Sequence, residues 1–283
     1  MKKIAVIPNV NKNGAIEITK KVIDILSENG AEIYIDERYD VDIERRIKKY
    51  DSFPADAELI IVIGGDGSVI DASVTAVEYD IPVLGINIGN LGYLAEVETD
   101  SLSILNKLFT GEYKIEEKML LRAEKRVNGE RQPSNRFAVN DVIISHENFL
   151  GIAEFALITD DAESVKYRAD GIILSTPVGS TAYSLSAGGP IVDHGINSIL
   201  ATPICPHSFF NRSIIFNENA VILIKNTGKS TLKISIDGRL FESLNGGEVC
   251  SVSQLDKKLK MLAFNVNNML STLFGKMKKI ESI

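Results

Sequence analysis

Cysteine is scarce in this chain, and so is histidine. Cys205 and Cys250 stand far apart, and His146, His194 and His207 do not cluster, so neither residue type offers the spacing of a zinc site. Two isolated thiols read as buried, reduced cysteines. Long apolar runs are missing as well. A stretch such as 59–63 is strand-length, far short of the roughly 20 residues that cross a bilayer, and no membrane partner is expected. Residues 1–8 are basic and then apolar, too short a run for a signal peptide and better read as a first strand, which predicts a cytoplasmic protein. Positive charge is not in excess either: the formal net charge of -7 argues against nucleic acid as a partner, because that binding needs clustered Lys and Arg, and it favours a small-molecule ligand. No low-complexity tract or internal repeat is present, which excludes disordered and fibrous architectures.

What is present reads as two domains, since 283 residues exceed the soft prior of about 150 per domain. Strand patterns at 4–8, 32–35, 59–63 and 83–86 alternate with helical patterns at 15–29 and 68–79. In the first helix Ile18, Val22, Ile25 and Leu26 share one face, and Gly30 marks the stop. The run at 59–63 is unbroken and largely β-branched, the signature of a strand buried on both faces of a parallel sheet. Residues 1–114 are therefore expected to form a Rossmann-like α/β domain with a parallel sheet. From 115 onward the texture turns to short strands and turn signals, such as 120–127, Asn128-Gly129 and 137–145, with further strands at 154–159, 172–175, 221–224, 232–236 and 248–252. Residues 115–264 are expected to form a mostly antiparallel β domain, and the weak helical pattern at 266–277 predicts that segment 265–283 packs back on the first domain.

The strand at 59–63 runs into Gly64-Gly65-Asp66-Gly67-Ser68 and then a helix. Glycines permit close backbone approach, and a helix N-terminus offers free N–H donors, so this loop can hold a phosphate. Asp66 is out of place there unless it binds metal or accepts a proton, which suggests phosphoryl transfer; a turn with Asp66 as a helix cap is the structural alternative. Two other nucleotide fingerprints fail. Gly228-Lys229-Ser230 resembles the end of a P-loop, but Leu223 stands where its first glycine belongs, and Ile70 stands where the third glycine of a dehydrogenase-type loop belongs.

About a hundred residues later comes Asp170-Gly171-Ile172-Ile173-Leu174-Ser175-Thr176-Pro177-Val178-Gly179-Ser180-Thr181-Ala182-Tyr183-Ser184-Leu185-Ser186, preceded by Tyr167-Arg168-Ala169. Its hydroxyls, backbone amides and aromatic ring suit a ribose and a base. Gly-Gly-Asp-Gly loops also occur in phosphofructokinases and in diacylglycerol and sphingosine kinases, but this second run resembles the NAD kinase signature almost residue for residue. Residues 87–94, Asn140-Asp141, Thr202-Pro203-Ile204-Cys205-Pro206-His207-Ser208 and Asp237-Gly238 resemble further segments of that family.

The resemblance implies a phosphofructokinase-like superfamily fold and a reaction in which the 2′-hydroxyl of the adenosine ribose of NAD takes the terminal phosphate of ATP, or of polyphosphate in some bacterial members, to give NADP. By the same likeness Asp66 is the general base, and Gly64, Gly65 and Gly67 meet phosphate oxygens. Asp66, Gly67, Asn140, Asp141, Arg168, Asp170, Thr181, Ala182, Tyr183, Ser184, Leu185, Ser186, Cys205 and Arg239 contact NAD. Mg²⁺ arrives with ATP, with no protein-bound prosthetic group and no dedicated metal ligands. A homodimer or homotetramer is implied, with Arg168, Asp170 and the backbone at Cys205 serving a neighbouring chain. The chain departs from the pattern at Asp141, usually Glu; at Asp71, often basic; at Arg239, commonly Gln; and at Phe209 and Ser213, typically Leu and Pro. Rival readings are a lipid kinase of the diacylglycerol type, which has no use for the second run, and a silent NAD-binding regulator, which would not need Asp66.

Overall fold

A computed structural model describes residues 2–39, 47–89, 92–127, 130–131, 136–146, 151–159, 164–207 and 210–264. The predicted turn at Asn128-Gly129, the helix at 266–277, and Asn90, Leu91, Ser208 and Phe209 lie outside them. The chain divides into two compact units, one holding residues 2–117 together with 259–264, the other residues 118–258.

In the first unit β1 (Lys3–Pro8), α1 (Ala15–Glu28), β2 (Glu32–Asp36), β3 (Lys48–Tyr50), β4 (Leu59–Gly64), α2 (Asp66–Tyr79), β5 (Val83–Asn87) and β6 (Ala95–Glu98) follow one another. A 3₁₀ turn (Leu102–Asn106), α3 (Lys107–Thr110) and β7 (Lys114–Lys118) complete its first segment. The sheet runs β3-β2-β1-β4-β5, and these neighbours pair in parallel. Every residue of β4 and β5 is buried, as expected of central strands covered on both faces. On α1 the buried stripe is Ala15, Thr19, Val22, Ile23 and Leu26, with Ile18 and Ile25 half-buried at its rim, so the face is turned from the one read in the sequence. Thr19 can lie inside because its hydroxyl donates to the Ala15 carbonyl at 2.7 Å.

The second unit contributes β8 (Leu121–Val127), β9 (Glu130–Arg131), β10 (Phe137–Ala138), β11 (Asp141–His146), β12 (Ala153–Ile158), β13 (Ser164–Ala169) and β14 (Gly171–Ser175). After a 3₁₀ turn (Gly179–Thr181) and a single helical turn (Tyr183–Ser186) come β15 (Ser198–Ile204), β16 (Ile214–Asn217), β17 (Ile222–Asn226), β18 (Leu232–Ile236), β19 (Arg239–Leu244) and β20 (Val249–Gln254). They build two antiparallel sheets, β10-β8-β20-β17-β12-β13 with β9 beside β8, and β16-β15-β14-β11-β18-β19. Alternate residues of both sheets, among them Leu121, Val142, Phe155, Ile172, Ile224, Ile234 and Val252, meet in one apolar core.

One boundary differs from the sequence reading. The last described strand, β21 (Leu259–Ala263), was expected in the second domain, yet it enters the first unit's sheet between β5 and β7, with Met261 opposite Val83. Leu262 and Phe264 join that unit's core. Nothing in the local pattern of 259–263 signals this, because the pairing partner lies far back in the chain.

Candidate functional site

Two constellations carry the predicted residues, one in each unit. In the first, the buried strand β4 delivers the chain to Gly65, whose extended backbone leads into the first turn of α2, and the helix begins at Asp66, two residues before its expected start. Asp66 sits where the helix offers free N–H groups and a positive dipole end. Its carboxylate does not cap its own helix. Oδ2 accepts from the Tyr93 N–H at 2.7 Å, and Oδ1 accepts from the Leu94 and Ala95 N–H groups at 3.0 and 3.3 Å. The segment leading into β6 thus fixes the carboxylate from outside, and that excludes the simple capping role.

Around it lie Gly64, buried, and Gly67, exposed. Lys12, which sequence reasoning passed over, reaches across the loop: its ammonium donates to the Ile88 carbonyl at 2.8 Å, and a Cβ at Gly65 would stand 2.7 Å from Nζ. A lysine in a polar loop after β1 has no periodic signal, so only the fold reveals it. Asn87, beside Gly64 in the register of β4 and β5, is 1% exposed, donates to Glu98 at 3.1 Å and keeps its side-chain oxygen without a partner among the described residues. A cation, free helix amides and an oriented carboxylate together can hold a phosphate chain and receive a proton beside it. Asp71 is exposed on α2, one turn and more beyond the loop.

In the second unit Asn140 and Asp141 stand at the head of β11, and their backbone is clamped from two sides. From the β18–β19 turn, Asp237 accepts from the N–H groups of Val139, Asn140 and Asp141 at 2.8, 2.8 and 3.0 Å, while its own N–H donates to the Asp141 carbonyl at 3.0 Å. From the signature run, the Thr176 hydroxyl donates to the Val139 carbonyl at 2.6 Å and the Thr176 N–H to the Asn140 carbonyl at 2.9 Å. Gly179 lies so close to Asn140 that a Cβ there would be 2.6 Å from its carbonyl carbon, so the glycine is required by the approach of the two segments. Asp141 is 4% exposed, and burial followed by the charge of Asp237 pushes its carboxyl up to about 7. Asp237 is also raised by burial, opposed by its three N–H donors and by Arg239.

The remaining predicted residues divide. Ala182 is half-buried, while Tyr183, Leu185 and Ser186 are exposed. Thr181 and Ser184 point inward: the Thr181 hydroxyl donates to the Val178 carbonyl at 3.1 Å, and the Ser184 and Thr202 hydroxyls are 3.0 Å apart. Thr202 also meets the Ser213 hydroxyl at 3.0 Å, which gives the unusual Ser213 a partner that proline could not supply. Arg168, Asp170 and Cys205 share one end of β13, β14 and β15, all exposed: the His207 N–H donates to the Arg168 carbonyl at 2.7 Å and the Asp170 N–H to the Ile204 carbonyl at 3.0 Å. Arg168 pairs with Glu154 at 3.3 Å, and Cys205 adopts a left-handed φ of 45°. Arg239 is exposed at the start of β19.

Comparison with known proteins bears on both constellations. Residues 4–113 match the family model of the ATP-NAD kinase N-terminal domain and residues 139–264 that of the ATP-NAD kinase C-terminal domain. The NAD kinase of Caldanaerobacter subterraneus subsp. tengcongensis is 34% identical over 281 residues, covering 98% of this chain and 99% of the relative. That of Natranaerobius thermophilus is 37% identical over 267 residues, covering 93% of each. Among solved structures, yeast NADH kinase complexed with NADH superposes with a TM-score of 0.84 at 23% identity, covering 98% of this chain and 88% of that one. An NAD kinase from Archaeoglobus fulgidus in complex with ATP gives 0.73 at 20% identity, covering 98% and 99%.

Proposed function

The chain belongs to the NAD kinase family, and on that premise we propose that it transfers the terminal phosphate of ATP to the 2′-hydroxyl of the adenosine ribose of NAD, yielding NADP and ADP. The observation that carries the chemistry is the Asp66 carboxylate, held by three N–H donors at the head of α2, with the Lys12 ammonium reaching the neighbouring Gly65. The 2′-oxygen attacks the terminal phosphorus, the bond to the bridging oxygen breaks, and Asp66 takes the hydroxyl proton. In a loose phosphoryl-transfer transition state that proton leaves late, so a fixed position counts for more than base strength. Gly64, Gly65 and Gly67 offer backbone to the phosphates and Lys12 adds a positive charge. Mg²⁺ enters bound to ATP, as part of the substrate, where it neutralises phosphate charge.

On this reading Asn140 and Asp141 bind the adenosine ribose, and Thr181, Ala182, Tyr183, Ser184, Leu185 and Ser186 line the dinucleotide site. Thr181 and Ser184 contribute backbone, since their hydroxyls are engaged within the unit. Arg168, Asp170 and Cys205 serve the nicotinamide end of a neighbouring chain in a homodimer or homotetramer, and Arg239 lies at the rim. The protein works in the cytoplasm. The purified protein with NAD, Mg²⁺ and either ATP or polyphosphate tests the proposal, with NADP read by an NADP-specific dehydrogenase. NADP should form with ATP, and the polyphosphate arm ranks the donors. Absence of NADP with both donors, while NAD binds, would overturn it.

A further inference from the structure

The turn between β18 and β19 places Asp237 with φ 47° and Gly238 with φ 75°, a tight two-residue hairpin in which the carboxylate folds back over the head of β11. A hairpin of this kind needs no aspartate to close; Asn-Gly would serve equally. What the aspartate adds is a charge, directed at backbone that carries Asn140 and Asp141. We propose that Asp237 is a positioning residue for the dinucleotide site, holding the Asn140–Asp141 segment by its backbone and setting the charge state in which Asp141 meets the ribose. This rests on the reading that Asn140 and Asp141 bind NAD.

Three observations support it. The same carboxylate reaches three successive N–H groups, so its loss frees donors on both residues at once. Asp141 is buried and Asp237 half-buried, and among the described residues Asp237 faces Asp141, Arg239 faces Asp237, and across from Asp141 in register stands Ser175, whose buried hydroxyl has no partner. Finally, the donors are unequally shared. The N–H groups and Arg239 favour ionised Asp237, and so the proton of the pair belongs to Asp141, which burial and the Asp237 charge hold at about 7. An ionised Asp141 accepts hydrogen bonds from ribose hydroxyls more strongly than a protonated one, so NAD affinity should rise as pH climbs through that value.

The test is the pH dependence of KM for NAD and of kcat in the full-length protein, with D237N and D141N beside it. In the wild type, KM for NAD should fall by about tenfold as pH rises through Asp141's titration, without a matching step in kcat. In D237N, where the neighbouring charge is gone, the step should move down by about one pH unit. In D141N it should vanish. A D237N protein of lowered thermal stability but unchanged midpoint would make Asp237 a turn residue and overturn the proposal. If D237N does not fold, calorimetry of NAD binding in two buffers of different ionisation heat decides: the wild type should release a proton on binding at mildly acid pH and D141N should not, and a wild type that releases none overturns it. A D141N protein whose KM for NAD equals that of the wild type at every pH would instead remove Asp141 from the NAD site, and the parent reading of that segment would fall with it.

Discussion

Several side chains in this molecule are defined by what holds them, and Asp141 and Cys250 show what burial does to an ionisable group. Asp141 carries a carboxyl raised from 3.8 to about 7 by burial and by Asp237. The folded chain therefore binds a proton there that the unfolded chain releases, and this contributes stability at low pH that is lost as pH rises through the window from about 4 to about 7. The urea midpoint should decline across that window, and D141N should flatten the decline; an unchanged slope would show that the pair does not govern it. Cys250 is fully buried and its thiol is pushed up to about 12, whereas Cys205 is exposed. An aromatic disulfide reagent should label one thiol in the native protein and two after denaturation. The sequence read both cysteines as buried; Cys205 follows a buried strand, and its exposure comes from a left-handed turn that composition does not encode.

At the level of elements, the phosphate loop was legible because its parts are contiguous: an apolar strand, a glycine run and a helix. The carboxylate's true partners were not, since the N–H groups of Tyr93, Leu94 and Ala95 come from a segment whose short strand β6 leaves little trace in the pattern. Strand β15 was not among the expected strands, its end being read only as a motif at 202–208, and it carries a proline inside a sheet, where proline normally interrupts pairing. Pro203 is tolerated because β16 pairs with residues 198–201 and ends before it, leaving that flank of β15 without a ladder partner from β16. The clamp on β11 offers a direct test of element packing: Gly179→Ala drives a methyl into the Asn140 backbone. That overpacking should cost about 1–3 kcal/mol and raise KM for NAD, checked by denaturant unfolding and by steady-state kinetics. Unaltered stability would mean that the two segments can separate freely.

For the whole molecule, fold class and family were readable from motifs spread along the chain, while the return of β21 into the first sheet was not. Its consequence is testable, because the strand lies between β5 and β7 and supplies Leu262 and Phe264 to the core. A chain truncated after Lys258 should lose the cooperative unfolding transition of the first unit, followed by circular dichroism, while an intact transition would show that the strand is dispensable. The chemistry assigned to the molecule rests in the end on one carboxylate. Kinetics and NAD-binding calorimetry of Asp66→Asn test it most directly: turnover should fall by about 10²- to 10⁴-fold with NAD affinity nearly preserved. Near-normal turnover would contradict the account, because proton transfer would then have to run through another group.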